Sequence, residues 1–407
     1  MTVSALRRPL PVLSSAVGLV PAVVPAGALL GLLALHDTGL RVLVVVGVPL
    51  LAVGGFARFL PRGPRAAVLG FSAVLLVGGG LIARSPLSLA GGALLLAAGA
   101  ATGWGVNDGR SRRRAWGLRA GSAVAGVLVF SFLAYPLLLA VDYLAKPREA
   151  IDARALGLAH RDVSFPAADG VRLSGWYVPG RNGAAIVLVH GGGGERTGTI
   201  RHARLLAASG YGVLLYDARG RGESEGHENA FGWQWDRDIR GAVDYLEAAG
   251  IRRIGLLGLS TGAEAAVTEA ASDPRVAAVV ADGLQGRTPA DAGNLGFANR
   301  ISIQPAFVVL SAAIRAVRGE REPVPMLELV HRVAASRPLL LIGTVGFERE
   351  LDRAYARGTR AQLWELPDTG HTKGLATHPA AYADRVLTVF DDALRTTGAG
   401  GSALRAG

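Results

Sequence analysis

The stretch Arg253–Ala266 reads Arg-Ile-Gly-Leu-Leu-Gly-Leu-Ser-Thr-Gly-Ala-Glu-Ala-Ala, and it constrains the fold more than any other. An apolar run ends at Gly258-Leu259-Ser260-Thr261-Gly262, and an Ala-rich helical pattern begins at once. A strand that becomes a helix over so few residues must turn sharply. Glycines two before and two after the serine keep Cβ atoms out of the crowded junction. The serine then sits in a strained conformation with its hydroxyl lifted clear of the sheet, the geometry of a nucleophile elbow. The peptide N–H of Thr261 points to where an oxyanion would form. The pattern alone is weak, because 56 of 407 residues are Gly. A second match, Gly222-Glu223-Ser224-Glu225-Gly226, has neither an apolar strand before it nor a helix after it and reads as loop.

The charge is unevenly spread. Residues 1–145 hold twelve Arg, no Lys and three acids (Asp37, Asp108, Asp142), which leaves the remainder of the chain nearly balanced. Mean hydropathy is +0.33, high for a soluble protein. The excess comes from five apolar spans at about 10–35, 42–57, 66–83, 86–105 and 120–141. A membrane helix needs roughly 17–25 apolar residues. The second span is short and needs Leu40 and a snorkelling Arg58 to reach. The first resembles a signal peptide in having Arg7-Arg8 before it, but the spans that follow argue for a retained anchor.

The loop arginines alternate in number. Arg7 and Arg8 precede the first span, and Arg58, Arg62 and Arg65 follow the second. Arg110, Arg112, Arg113, Arg114 and Arg119 follow the fourth, whereas the intervening loops carry only Arg41 and Arg84. The positive-inside rule puts the rich loops in the cytoplasm. An odd number of crossings then puts everything after Asp142 outside it. The basic balance therefore belongs to a lipid bilayer, and no nucleic-acid partner is expected. With no cysteine in the chain, disulfides and thiolate metal sites are excluded.

The rest reads as a linker at 146–160, an α/β domain at 161–397 and a disordered tail at 398–407. Val163–Pro179 alternates around Asp169-Gly170 as a hairpin. Strands are predicted at 185–189, 211–216, 253–259, 276–281, 338–342 and 362–366, with helices near 198–208 and 236–248. This alternation predicts a doubly wound, mainly parallel sheet with its site at the C-terminal strand ends.

Several loop residues at those ends carry chemistry. His190-Gly191-Gly192-Gly193-Gly194 follows the first parallel strand, and successive glycines let backbone N–H groups converge on one point. Glu195-Arg196 stands where a P-loop needs Lys and Ser or Thr. The loop therefore reads as the second oxyanion donor, through the N–H of Gly192, with His190 a structural hydrogen-bonding residue. Asp217-Ala-Arg219-Gly220 reads as a turn fixed by local salt bridges. Of the eight histidines only His371 and His378 follow the last strand. His371, in Asp368-Thr369-Gly370-His371-Thr372, fits the base that takes the Ser260 proton and returns it to the leaving group. The acid that orients it is expected after the 338–342 strand. Gly343-Thr344-Val345-Gly346-Phe347 offers none, leaving Glu348, with Glu350 and Asp282 as alternatives. For Glu348 a helix-capping role explains the residue equally well.

Taken together, the strand ending in His190-Gly191-Gly192, Asp217-x-Arg219-Gly220, the Gly258–Gly262 elbow and Gly370-His371 resemble the α/β-hydrolase superfamily. The resemblance covers residues 160–397 and is nearest the prolyl-oligopeptidase-like and dienelactone-hydrolase-like branch. It implies Ser260 as nucleophile, His371 as base, and backbone donors at Gly192 and Thr261. The missing Asp after Gly343 departs from the pattern. An insertion at 283–337 contains the apolar stretch Ile301–Val317, which suits either a lid over an acyl pocket or packing on the sheet.

The expected protein is thus a multi-pass, cell-membrane serine hydrolase acting on a small or lipid-like acyl substrate outside the cytoplasm, with no metal or organic cofactor. A prolyl-oligopeptidase-like peptidase, an acyltransferase or an inactive hydrolase-fold scaffold are the alternatives.

Overall fold

A computed structural model describes residues 148, 150–227 and 230–394. The five apolar spans and the 398–407 tail lie outside the described residues.

Eight strands form one sheet in the order β1-β2-β4-β3-β5-β6-β7-β8. The hairpin of β1 (Arg161–Pro166) and β2 (Arg172–Val178) is antiparallel and joins β4 (Gly212–Tyr216) antiparallel. From β4 through β3 (Ala184–Val189), β5 (Arg253–Leu259), β6 (Val276–Asp282), β7 (Leu339–Gly343) and β8 (Gln362–Glu365) every pairing is parallel. Central strands covered on both faces read as unbroken apolar runs. Every residue of β3, Ala-Ala-Ile-Val-Leu-Val, is buried.

Two helices cover one face, α1 (Ile200–Ala208) and the C-terminal α9 (Pro379–Leu394). The other carries α2 (Trp235–Ala248), α3 (Thr261–Ala270), α6 (Met326–Ser336) and α7 (Gly346–Ala356). The sequence explains how closely they pack. Helix α3 is Ala-rich, and nearly all of it is buried between the sheet and its neighbours. On the opposite face, a Cβ on Gly255 would lie 2.7 Å from the Phe390 ring, so only glycine lets α9 sit this close. Leu156, in a short turn ahead of β1, is also fully buried in this core. Arg204 of α1 donates to the Leu156 carbonyl, which holds the segment against the domain.

Between β6 and α6 lie α4 (Pro289–Ala292) and the 22-residue α5 (Phe297–Arg318). A short helix α8 (Gly374–Thr377) precedes α9. The chain reverses its direction of winding where β3 lies between β4 and β5. In an open α/β sheet that switch point opens a crevice at the C-terminal strand ends. The loops leaving β3 and β5 are those that begin with His190 and Ser260.

Candidate active site

Ser260 occupies the single-residue turn between β5 and α3, with φ 54° and ψ −125°. A non-glycine residue there costs on the order of 1–3 kcal/mol and persists only where surroundings over-determine it. Its N–H donates to the Asp282 carbonyl at 2.8 Å, and its own carbonyl accepts from Ala263 at 2.7 Å. The flanking glycines serve close approach. A Cβ on Gly258 would stand 2.2 Å from the Gly262 carbonyl oxygen, and one on Gly262 would stand 2.4 Å from that of Val189. No larger residue fits either position while the strand and helix stay this near.

The glycine loop after β3 crosses directly over the serine, since a Cβ on Gly191 would be 3.4 Å from the Ser260 Cβ. His190 fixes this loop. Its Nε2 accepts from the Ala218 N–H at 3.0 Å, which assigns the proton to Nδ1. That Nδ1–H donates to the Gly191 carbonyl at 2.8 Å, and Gly194 N–H donates to the same oxygen at 3.0 Å. Burial pushes the His190 imidazole down to about 4, so it stays neutral. It is a structural clamp. Gly192 is buried within this loop, and Thr261 is the first residue of α3. N–H groups in the first turn have no intrahelical partner by geometry, which suits Thr261 to an oxyanion.

His371 lies in a tight turn after β8, where Lys373 N–H donates to the Gly370 carbonyl. Its ring packs on Gly283, whose added Cβ would be 2.8 Å from the His371 Cε1. Gly283 follows Asp282, whose carbonyl holds the Ser260 N–H, so the end of β6 touches both the serine's backbone and the imidazole. Glu348 also meets the ring at its Nδ1, through Oε1. His371 is 35% exposed while Glu348 is fully buried, so the pair presents its imidazole outward.

Of the three carboxylates considered, only Glu348 touches the imidazole. It sits at the start of α7, where Oε2 accepts from Thr344 Oγ1 at 2.8 Å and Val345 N–H at 3.1 Å. Gln285 Nε2 donates to Oε1 at 3.0 Å. Helix capping and contact with His371 are therefore performed by the two oxygens of one group. Burial pushes this carboxyl up, but the His371 contact and the Thr344 and Val345 donors outweigh it and hold it below the usual carboxylate range.

Glu350 turns away, accepting from Gly296 N–H and, at 2.6 Å, from Asn299 Nδ2. Asp282 is fully buried and accepts from the Tyr382 hydroxyl at 2.9 Å. Burial pushes its carboxyl up to about 7, against the Tyr382 hydrogen bond and the His371 charge, with Glu348 adding to the rise.

Sequence reading had not singled out Gln285, Thr344 or Tyr382. Their spacing from the acids is long-range for Gln285 and Tyr382, so no local pattern marks them. Thr344 precedes Glu348 by four residues, one more than a capping box, whose N-cap position is held by Val345, so no local pattern marks it. Around the site, Arg219 is buried in ion pairs with Asp169 and Asp238, so it is a salt-bridging residue as expected, but its partners come from the β1–β2 turn and α2 and are not local. Ser224, the serine of the second Gly-x-Ser-x-Gly, is buried; its Oγ donates to the Asp217 carbonyl and accepts from Ser174 N–H. Among the described residues no group of three or more His, Asp or Glu side chains is arranged to hold a metal ion.

Residues 186–385 match the alpha/beta hydrolase family. An uncharacterised protein of Mycobacterium tuberculosis is 36% identical over 128 residues, covering 30% of this chain and 45% of that protein. The thiohydrolase aneE of Aspergillus aculeatus is 34% identical over 128 residues, covering 30% of this chain and 40% of its own. The chain thus spans less than half the length of these curated relatives. The solved Pyrococcus furiosus esterase Pf2001 aligns with 61% of this chain and 97% of its own at a TM-score of 0.50 and 22% identity, a likeness of fold.

Proposed function

We propose that the α/β-hydrolase domain carried by this chain is a membrane-anchored serine hydrolase that cleaves a carboxylic ester or related acyl bond through an acyl-enzyme on Ser260. The observation that carries the reading is the His371 imidazole, packed on Gly283 next to the Asp282 carbonyl that binds the Ser260 N–H, and backed by the buried Glu348 carboxylate. In this mechanism Ser260 Oγ attacks the acyl carbonyl as His371 Nε2 takes its proton. Glu348 stabilises the imidazolium that results, and the N–H groups of Gly192 and Thr261 hold the oxyanion. The tetrahedral adduct collapses, the leaving group departs with the His371 proton, and water repeats the sequence to release the acid. A neutral-protonation role for Glu348 is disfavoured by its depressed pKa.

The relative named a thiohydrolase supports including thioesters among the acyl bonds. The covalent step is common to hydrolysis and acyl transfer, so the acceptor alone separates a hydrolase from an acyltransferase. Anchoring rests on the apolar spans of residues 1–145 and the uneven arginine of their loops, which favour a catalytic domain outside the cytoplasm.

A fluorophosphonate probe tests the reading. Wild-type protein is expected to be labelled and Ser260→Ala not. Absence of labelling on folded wild-type protein would replace the enzyme with an inactive hydrolase-fold scaffold.

A further inference from the structure

Helix α5 is the least explained element of the domain. One face is an ordinary packing face, with Phe307, Leu310 and Ile314 buried. Phe231 meets Phe307 edge-to-face with ring centroids 6.0 Å apart. A second face, carrying Phe297, Ile301 and Val308, is 75%, 47% and 49% exposed. At 100° per residue these three fall within about 40° of one another, so they make one stripe. Exposed apolar side chains scattered singly need no explanation, but an aligned row does.

The charge on this helix is one-sided. From Phe297 to Arg318 it has Arg300, Arg315 and Arg318 and no acid at all. Arg300 and Arg315 are exposed. Arg315 falls in line with Phe297 at the far end of the stripe, and Arg300, near the start, lies about 60° from it toward the packed face. Two carboxylates at the ends of the helix are engaged elsewhere, and the exposed Glu322 lies beyond its C-terminus. Glu350 binds Gly296 N–H and Asn299, and Glu320 contacts Gln234. Phe297–Arg315 is, among the described residues, the one helix long and apolar enough to cross a membrane by length and composition. Crossing would strip Phe307, Leu310 and Ile314 from the domain, and Pro305 removes a helical hydrogen bond in the middle. Lying in the plane of a bilayer surface keeps the packed face and uses the exposed one.

We infer that α5 is a lipid-docking helix, seating Phe297, Ile301 and Val308 at the headgroup–acyl boundary of an anionic bilayer while Arg300 and Arg315 meet lipid phosphates. Charge complementarity selects this occupant over a second copy of the domain, whose matching stripe would bring arginines against arginines. If the apolar spans of residues 1–145 cross a membrane as proposed, the same chain is tethered to a bilayer.

The position of the helix gives docking a consequence. Its start is bonded to Glu350, two residues beyond the acid facing His371. Its middle packs on Phe231, next to Gly232, where a Cβ would stand 2.3 Å from the Thr261 side chain. A bilayer touching the exposed face of α5 would then be joined to the elbow through Phe231 and Gly232, and would offer its acyl chains to the Ser260 side of the domain. That last step rests on the proposed hydrolase; the docking surface does not.

The chain has no cysteine, so single labels report one site each. Full-length Val308→Cys, labelled with an environment-sensitive fluorophore and reconstituted in phosphatidylcholine vesicles with and without phosphatidylglycerol, is compared with Asp384→Cys on α9. Nitroxides on the lipid acyl chains are expected to quench the label at 308, more so with phosphatidylglycerol, and to spare the label at 384. Equal, weak quenching at both sites overturns the inference. So does energy transfer between labelled copies at 308 without nitroxide quenching, which would assign the stripe to a second copy. In a parallel assay, the triple variant Phe297→Ser/Ile301→Ser/Val308→Ser should turn over a vesicle-embedded long-chain ester about tenfold more slowly, the loss of roughly one large apolar side chain's contact. Its turnover of a soluble short-chain ester should be unchanged, and an unaltered vesicle rate would count against docking. If wild-type protein turns over neither ester, the hydrolase reading fails while the quenching still decides the docking.

Discussion

The chain writes Gly-x-Ser-x-Gly twice, and the two copies have opposite fates. At 258–262 the glycines keep a strand and a helix close enough to force Ser260 into φ 54°. At 222–226 the glycines themselves take positive φ, 44° and 93°, and form a compact loop. A Cβ on Gly222 would collide with the Asp217 carboxylate at 2.2 Å. There the serine turns inward and ties the loop to β2 and to the end of β4. The five-residue pattern specifies only that two glycines flank a serine. Whether the hydroxyl becomes a candidate nucleophile or an interior staple is decided by the elements on either side and by what converges on it from far along the chain.

The largest separation between the two serines is expected from removing what converges on one of them. Glu348→Gln keeps the volume but loses the charge facing His371. It should lower kcat on a p-nitrophenyl ester by roughly 10³–10⁴, bringing Ser260 toward the reactivity of an ordinary hydroxyl. Glu350→Gln, which only loosens the start of α5, should stay within about threefold. Equal losses in both variants would mean that the acid acts through helix α7 and not through the imidazole.

A smaller and purely structural contrast separates the glycines. Gly258→Ala pushes a methyl into the Gly262 carbonyl and has no side chain to move aside, so it should cost roughly 3 kcal/mol by denaturant unfolding. Ser224→Ala removes the partner of a buried Ser174 N–H and of the Asp217 carbonyl, at about 1–3 kcal/mol, and should leave fluorophosphonate labelling intact. Loss of labelling in folded Ser224→Ala would erase the distinction between the two sites.

Why one half of the site was readable and the other was not follows from the same contrast. Strand periodicity, the elbow and the glycine loop are local in sequence, and the strands at 185–189, 253–259 and 276–281 lie within a residue or so of those observed. The acid was ambiguous because three carboxylates at 282, 348 and 350 all fall near the right strand ends. Which one faces His371 depends on side-chain direction at the first turn of α7 and on Gln285 arriving from another loop. No period in the sequence encodes that. The apolar stretch Ile301–Val317 was likewise visible as apolar, but not as a helix with one packed and one bare face, because its burial is set by Phe231 and α4. His190 and Arg219 were legible as structural from the loops they occupy, although the partners that hold them, Ala218 for His190 and Asp169 and Asp238 for Arg219, come from distant parts of the chain.

The smallest effect concerns the carboxyl left over. Asp282 ends β6 beneath the Ser260 backbone, buried, with its pKa raised to about 7. An unfolded Asp titrates near 3.9. For a carboxyl whose folded pKa is the higher one, stability is full below the unfolded value and falls as pH rises toward the folded value. Wild-type protein should therefore lose stability through this group between about pH 4 and pH 7. Asp282→Asn has no proton to lose and can still accept from Tyr382. The difference in melting temperature, variant minus wild type, should then grow in the variant's favour across that window and level off above it. Glu348 predicts the reverse trend, because its depressed pKa gives stability that is present at neutral pH and lost on acidification below the usual carboxylate range. Measuring both variants from pH 3 to 8 separates the two acids by sign alone. If the Asp282→Asn difference were flat, the folded and unfolded aspartate would titrate alike, and Glu348 would no longer be distinguished from it electrostatically as the partner of His371.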